Sequence, residues 1–122
     1  RSYPLRGVCR HQDRPGIGNA ISQAIHEEDM ALIREIGANT IRLAHYQHDQ
    51  YFYDLCDKYG LIVWAEIPYI SEHMPSGREN TISQMTELIV QNYNPPSCAG
   101  ACPMRLPSPP KTRGTCWITT GR

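Results

Sequence analysis

No stretch of this 122-residue sequence approaches the roughly 18 consecutive apolar residues of a membrane-spanning helix. Its first residues, Arg1-Ser2-Tyr3-Pro4, hold neither an initiating Met nor the apolar core of a secretory signal. From these absences we expect a soluble, cytoplasmic protein with no membrane partner, whose chain starts mid-protein or after processing. An excess of charge of one sign is also missing. Lys and Arg total 12, Asp and Glu total 12, and the formal net charge is +0, which removes the electrostatic reason to expect nucleic acid as a partner. The 5 cysteines, at positions 9, 56, 98, 102 and 116, include no CxxC pair. That pattern fits neither a disulfide-stapled secreted domain nor a zinc ribbon and reads as reduced thiols. Cys98, Cys102 and Cys116 have no His or acidic residue near them to complete a site, because none follows Glu87, so no metal ligand is assigned.

Residues 1 to 94 show strand and helix signals in alternation. Tyr3 to Cys9 is a short apolar-leaning run that ends in Arg10-His11-Gln12-Asp13, and a loop with Pro15, Gly16 and Gly18 follows. From Ile25 the period changes. Ile25, Leu32, Ile33 and Ile36 share a helical face, Glu27, Glu28 and Asp29 suit a positive helix end, and Gly37 is a natural stop. Thr40 to Ala44 is β-prone and leads to His45-Tyr46-Gln47-His48, after which Asp49 is a candidate cap for a helix carrying Tyr51, Phe52, Leu55, Cys56 and Tyr59. Gly60 closes that helix, and Leu61 to Ala65 is uniformly apolar, as expected of a parallel strand covered on both faces. Trp64 and the tyrosines at 51, 53 and 59 read as packing groups. Glu66 ends the strand, and Ile82, Met85, Leu88, Ile89 and Tyr93 mark a third helix.

The order βαβαβα implies a parallel sheet. A doubly wound sheet would place a Gly-rich phosphate turn directly after the first strand, whereas Gly16-Ile17-Gly18 comes too late and lacks the third glycine. A (β/α)8 barrel instead puts its reactive polar residues at the C-terminal ends of its strands, where Arg10, His11, Asp13, Arg42, His45 and Glu66 fall. The expected fold class is therefore α/β: a partial (β/α)8 TIM barrel, its first three βα units, with an irregular C-terminal tail. In the tail, 95–122, lie six of the 10 prolines and no acidic residue, and the apolar residues lose any period. It reads as a segment never selected to pack, or as a proline-rich ligand for a peptide-binding module.

Three separated motifs carry a resemblance. They are Arg6-Gly7-Val8-Cys9-Arg10-His11; Glu28-Asp29-Met30 with Ile36-Gly37-Ala38-Asn39-Thr40-Ile41-Arg42-Leu43-Ala44-His45-Tyr46; and Leu55-Cys56-Asp57-Lys58-Tyr59-Gly60-Leu61. In letters and spacing they resemble the catalytic barrel of family 2 glycoside hydrolases of the beta-galactosidase type, over residues 3 to 94. The resemblance implies hydrolysis of terminal β-galactosides, or a related β-glycoside, by a retaining mechanism with two carboxyl groups about 5 to 5.5 Å apart. It implies that His11 and His45 contact the sugar and that Arg42 supports the nucleophile; by position alone, Asp13 and Arg10 either reach substrate or fix the loop after the first strand, and Glu66 accepts hydrogen bonds at the mouth of the third, from Arg42 or another cation. Some members of the family bind magnesium or sodium beside the active site. Magnesium prefers oxygen ligands and water, and the match around Glu72 and His73 is imperfect, so no cofactor is assigned to this chain.

The resemblance also exposes a departure. The family follows its third helix with Asn-His-Pro-Ser and a fourth strand ending in Trp-Gly-x-x-Asn-Glu, whose Glu is the acid/base. Here Asn94-Pro95-Pro96-Ser97 precedes Cys98 to Pro107, with no Asn-Glu pair. Codons permitted for Ala99 to Pro107 spell Trp-Gly-Leu-Ser-Asn-Glu-Ile-Thr when read from the third base of each triplet, the Met104 codon being the strictest constraint. We therefore expect a frame change near 94–97 and no catalytic residue in this chain, which on that account is inactive alone and, with open barrel edges, marginally stable or prone to aggregate. The alternative from a different class is a noncatalytic carbohydrate-binding or interaction fragment with a Pro-rich tail.

Overall fold

The computed structural model describes residues 2–69 and 74–92, with the backbone of 98–101. Strand β1 is Gly7–Arg10, helix α1 Gln23–Glu35, β2 Thr40–Leu43, α2 Gln50–Tyr59, β3 Ile62–Ala65, α3 Arg78–Gln91 and β4 Cys98–Ala101, with a short 3-10 turn at Pro75–Gly77 before α3. The strands form one parallel sheet in the order β1-β2-β3-β4, the arrangement of consecutive strands in a TIM barrel.

Alternation divides each strand between two faces. The register Val8↔Ile41, Arg10↔Leu43, Ile41↔Val63 and Leu43↔Ala65 lines these residues up on the helix side. There Ile41, Leu43, Val63 and Ala65 pack in one core with Met30 and Ile33 of α1, Phe52, Tyr53, Leu55 and Cys56 of α2, and Leu88 of α3. The other face carries the row Cys9↔Arg42↔Trp64, which in a barrel looks toward the axis.

Local chemistry sets the helix ends. Asp49 caps α2 by accepting a hydrogen bond from the Tyr51 amide at 2.8 Å, and Gly60 ends the helix with φ 70°, where only glycine is unstrained. Helix α1 departs from expectation. It begins at Gln23, two residues before Ile25, and no acid lies in its first turn. Glu28 and Asp29 instead meet cations of the β1–α1 loop and β1: Arg14 reaches Glu28 at 2.7 Å and Arg10 reaches Asp29 at 2.8 Å. Strand β1 is shorter than the expected run from Tyr3, and α3 begins four residues before Ile82, the first residue of its apolar pattern. β4 was not anticipated from the sequence. The rest of the Pro-rich tail, and Glu72 and His73, lie outside the described residues. Tyr53 is buried, whereas Tyr59 stands exposed on α2 under the Arg34 guanidinium, 4.1 Å from its ring centre. Neither Cys9 nor Cys56 is in a disulfide. Among the described residues no helix is long and apolar enough to cross a membrane.

Candidate functional site

The C-terminal ends of β1, β2 and β3 lie side by side, and their polar residues separate into two clusters. The first is centred on Glu66, which follows β3 and is only 1% exposed. Arg42 grips it with both arms of the guanidinium fork, Nε donating to Oε1 at 2.6 Å and Nη2 to Oε2 at 3.2 Å. His45 Nδ1 lies 3.0 Å from Oε2 of the same carboxylate. A carboxylate only accepts, so Nδ1 must carry the proton, and the 3.4 Å approach of Arg42 Nη2 to that nitrogen is a contact rather than a bond. With a single ring proton, on Nδ1, His45 has Nε2 as its acceptor. Arg42 and His45 are an odd number of residues apart, which strict alternation would put on opposite faces. The chain leaves strand geometry after Leu43, and both side chains reach Glu66. The exposed His11 ring completes the group, edge-on to His45 with centroids 4.9 Å apart.

The hydrogen bond to Glu66 holds the Arg42 guanidinium above its already high ordinary pKa, against a smaller opposing effect of burial. Arg42 Nη1 also points at the exposed thiol of Cys9, 3.9 Å away on the same sheet face. Asp13 is not part of this cluster. It is exposed in the loop after β1, at the rim of an open cleft of about 400 Å³ shared with Cys9 and His11 as well as Arg10, Asp29 and the apolar side chains of α1.

The second cluster lies behind the first, on the helix side, and sequence reasoning missed most of it. Arg10, 6% exposed, donates from Nε and Nη2 to Asp29 Oδ2 at 3.0 and 2.8 Å, lies 3.0 Å from His26 Nδ1 and 3.1 Å from His48 Nδ1, and stacks 3.8 Å from the Phe52 ring centre. Arginine has donors only, so both histidines accept through Nδ1 and keep the proton on Nε2. His48 uses that proton on the Ala44 carbonyl at 3.0 Å. Burial pushes the His48 pKa down to about 4, the bond to Ala44 opposing and the Arg10 charge adding to the effect. His26 is also pushed down, by burial first and by Arg10 second. Gln12 joins the two loops, its backbone N–H meeting the Tyr46 hydroxyl at 3.1 Å and its side-chain oxygen accepting from the Asp49 amide at 2.7 Å.

Both ring nitrogens of His48 are engaged, by Arg10 and by the Ala44 carbonyl, whereas His45 is engaged at Nδ1 alone. Among the described residues no group of three or more His, Cys, Asp or Glu side chains is placed to hold a metal ion.

Parallel strands in sequential order, with their polar residues gathered at one end, define the opening units of a (β/α)8 enzyme domain. Comparison with known proteins specifies which: residues 1–99 match the family described as glycosyl hydrolases family 2, TIM barrel domain, and the chain belongs to it. A beta-glucuronidase of Bacteroides fragilis is 52% identical over 106 residues, covering 80% of this chain and 15% of that protein. A beta-galactosidase of Thermoanaerobacterium thermosulfurigenes is 35% identical over 103 residues, covering 80% of this chain and 14% of that protein. Among solved structures, an FMN-binding beta-glucuronidase from Facaelibacterium prausnitzii L2-6 superposes with a TM-score of 0.78 at 51% identity, over 83% of this chain and 16% of that one. The chain thus spans about a seventh of the length of the curated relatives it matches.

Proposed function

We propose that this chain supplies the first three βα units, and with them part of the sugar-binding rim, of a retaining β-glycosidase. The observation that carries the reading is the convergence of Arg42, His45 and His11 around the buried Glu66 at the C-terminal mouth of the sheet. His45 Nε2 accepts a hydrogen bond from a sugar hydroxyl on this reading, and His11 is exposed beside it. Glu66 does not act as the acid/base: both its oxygens are occupied by Arg42 and His45, so its role is to hold those two groups in place. The two reacting carboxyl groups belong to other segments of the whole protein.

The sequence reading put β-galactosides first as substrate. The identities, 52% to the beta-glucuronidase against 35% to the beta-galactosidase, favour a β-glucuronide, with a β-galactoside second. The altered 94–107 segment is explained by a frame change. In support, the residues after 97 lack the family's terminal Asn-Glu.

Two experiments test this. The nucleotide sequence across codons 90 to 122 is expected to read Trp-Gly-Leu-Ser-Asn-Glu in the shifted frame, and codons excluding it remove the frame-change explanation. The purified 122-residue chain is expected to hydrolyse neither nitrophenyl β-glucuronide nor nitrophenyl β-galactoside, and measurable turnover of either contradicts the assignment of the reacting carboxyls to other segments.

A further inference from the structure

The residues that face the sugar are held from behind by a group on the other side of the sheet. His48 is 4% exposed and lies in the loop that leaves β2. Its two ring nitrogens bridge unlike partners. Nδ1 accepts from Arg10 Nη1 at 3.1 Å, and Nε2–H donates to the carbonyl of Ala44 at 3.0 Å. Ala44 is the residue before His45, so the bond fixes the peptide plane from which the His45 side chain departs toward Glu66. Arg10 is itself immobilised by Asp29 and His26 of α1 and by the Phe52 ring of α2. The result is a continuous path from α1 through Arg10 and His48 to the backbone that carries His45.

We infer that His48 is a positioning residue for the sugar-facing rim: its neutral ring, locked between Arg10 and the Ala44 carbonyl, sets the backbone that presents His45 to Glu66 and to substrate. The substrate part of this inference rests on the reading given under Proposed function, whereas the positioning part rests on the hydrogen bonds alone. The group works in one tautomer only, because a proton on Nδ1 would face the Arg10 guanidinium. The charged or titratable groups that act on it are Arg10 from β1, His11 from the loop after β1 and His26 from α1. The ring of Tyr46, 5.1 Å away, flanks it.

Imidazole-detected nitrogen–proton NMR of the 122-residue chain tests this, since it reports which nitrogen of each ring carries the proton. The unaltered chain is expected to show a slowly exchanging Nε2–H for His48 and an Nδ1–H for His45. His48→Gln retains a donor for Ala44 and an acceptor for Arg10, and is expected to keep the His45 Nδ1–H signal. His48→Met has similar bulk and neither function, and is expected to lose it. A folded His48→Met chain that keeps the His45 signal overturns the inference, and so does a His48→Gln chain that loses it. If His48→Met does not fold, the unaltered chain and His48→Gln decide: a His48 found protonated on Nδ1, or without a protected Nε2–H, overturns the inference. Titration of the unaltered chain with methyl β-glucuronide separates the two readings. Failure to move the His11 and His45 signals removes the sugar-site reading while leaving the His45 tautomer result to judge His48.

Discussion

Arg42→Met is the perturbation that most directly probes the Glu66 cluster. It removes two charge-assisted hydrogen bonds, of 2.6 and 3.2 Å, from a carboxylate that is almost wholly buried. Breaking a fully buried ion pair by removing one partner costs about 3–5 kcal/mol. Two features reduce this: the Arg42 side chain is 35% exposed, so water replaces part of what is lost, and His45 still donates to Glu66. The expected destabilisation at neutral pH is therefore about 2–3 kcal/mol. For a domain of this size that corresponds to a fall in Tm of roughly 10–20 °C, read by circular dichroism and by urea titration. Glu66→Gln removes the charge that Arg42 matches, and in the double variant the two losses overlap by about 1.5–3 kcal/mol. Additive losses, or a change below about 0.5 kcal/mol in Arg42→Met alone, would show that the pair does not hold the mouth together.

Two further outcomes follow from named contacts. Because the folded pKa of His48 is pushed down to about 4, below the roughly 6.5 of an unfolded histidine, its contribution to stability is complete above that unfolded value. It is lost as pH falls from about 6.5 toward 4, by roughly 3 kcal/mol over the window, and His48→Gln is expected to flatten that part of the urea-unfolding profile relative to the unaltered chain. Asp49→Ala removes the cap at the start of α2 and is expected to cost about 1 kcal/mol with no change in the histidine spectra of the mouth.

Periodicity made the order of elements readable because short strands and helices here have clean signals: the stop at Gly60, the cap at Asp49 and the unbroken apolar run from Leu61 all mark local chemistry. Helix α1 was harder. Its acids at 27–29 imitate a first turn, yet Glu28 and Asp29 are placed there to meet Arg14 and Arg10, contacts that span 14 and 19 residues and leave no local trace. The site divided the same way. His11, Arg42, His45 and Glu66 were legible as strand-end residues, and family motifs gave them meaning. Asp13, in the same loop as His11, lines a cleft with it but among the described residues makes no hydrogen bond to the Glu66 group. The Arg10, His26 and His48 cluster was invisible as a unit because three elements supply it. Its single hint was the alternation that places Arg10, two residues after Val8, on the helix side of β1.

The central claim is that the strand ends form one sugar-facing surface, and titration of the chain with a simple β-glucuronide or β-galactoside, followed residue by residue through the five histidines, tests it most directly. The account predicts saturable shifts at His11 and His45, with His26 and His48 unmoved behind the sheet. Shifts of equal size at all of them, or none at His11 and His45, would contradict it.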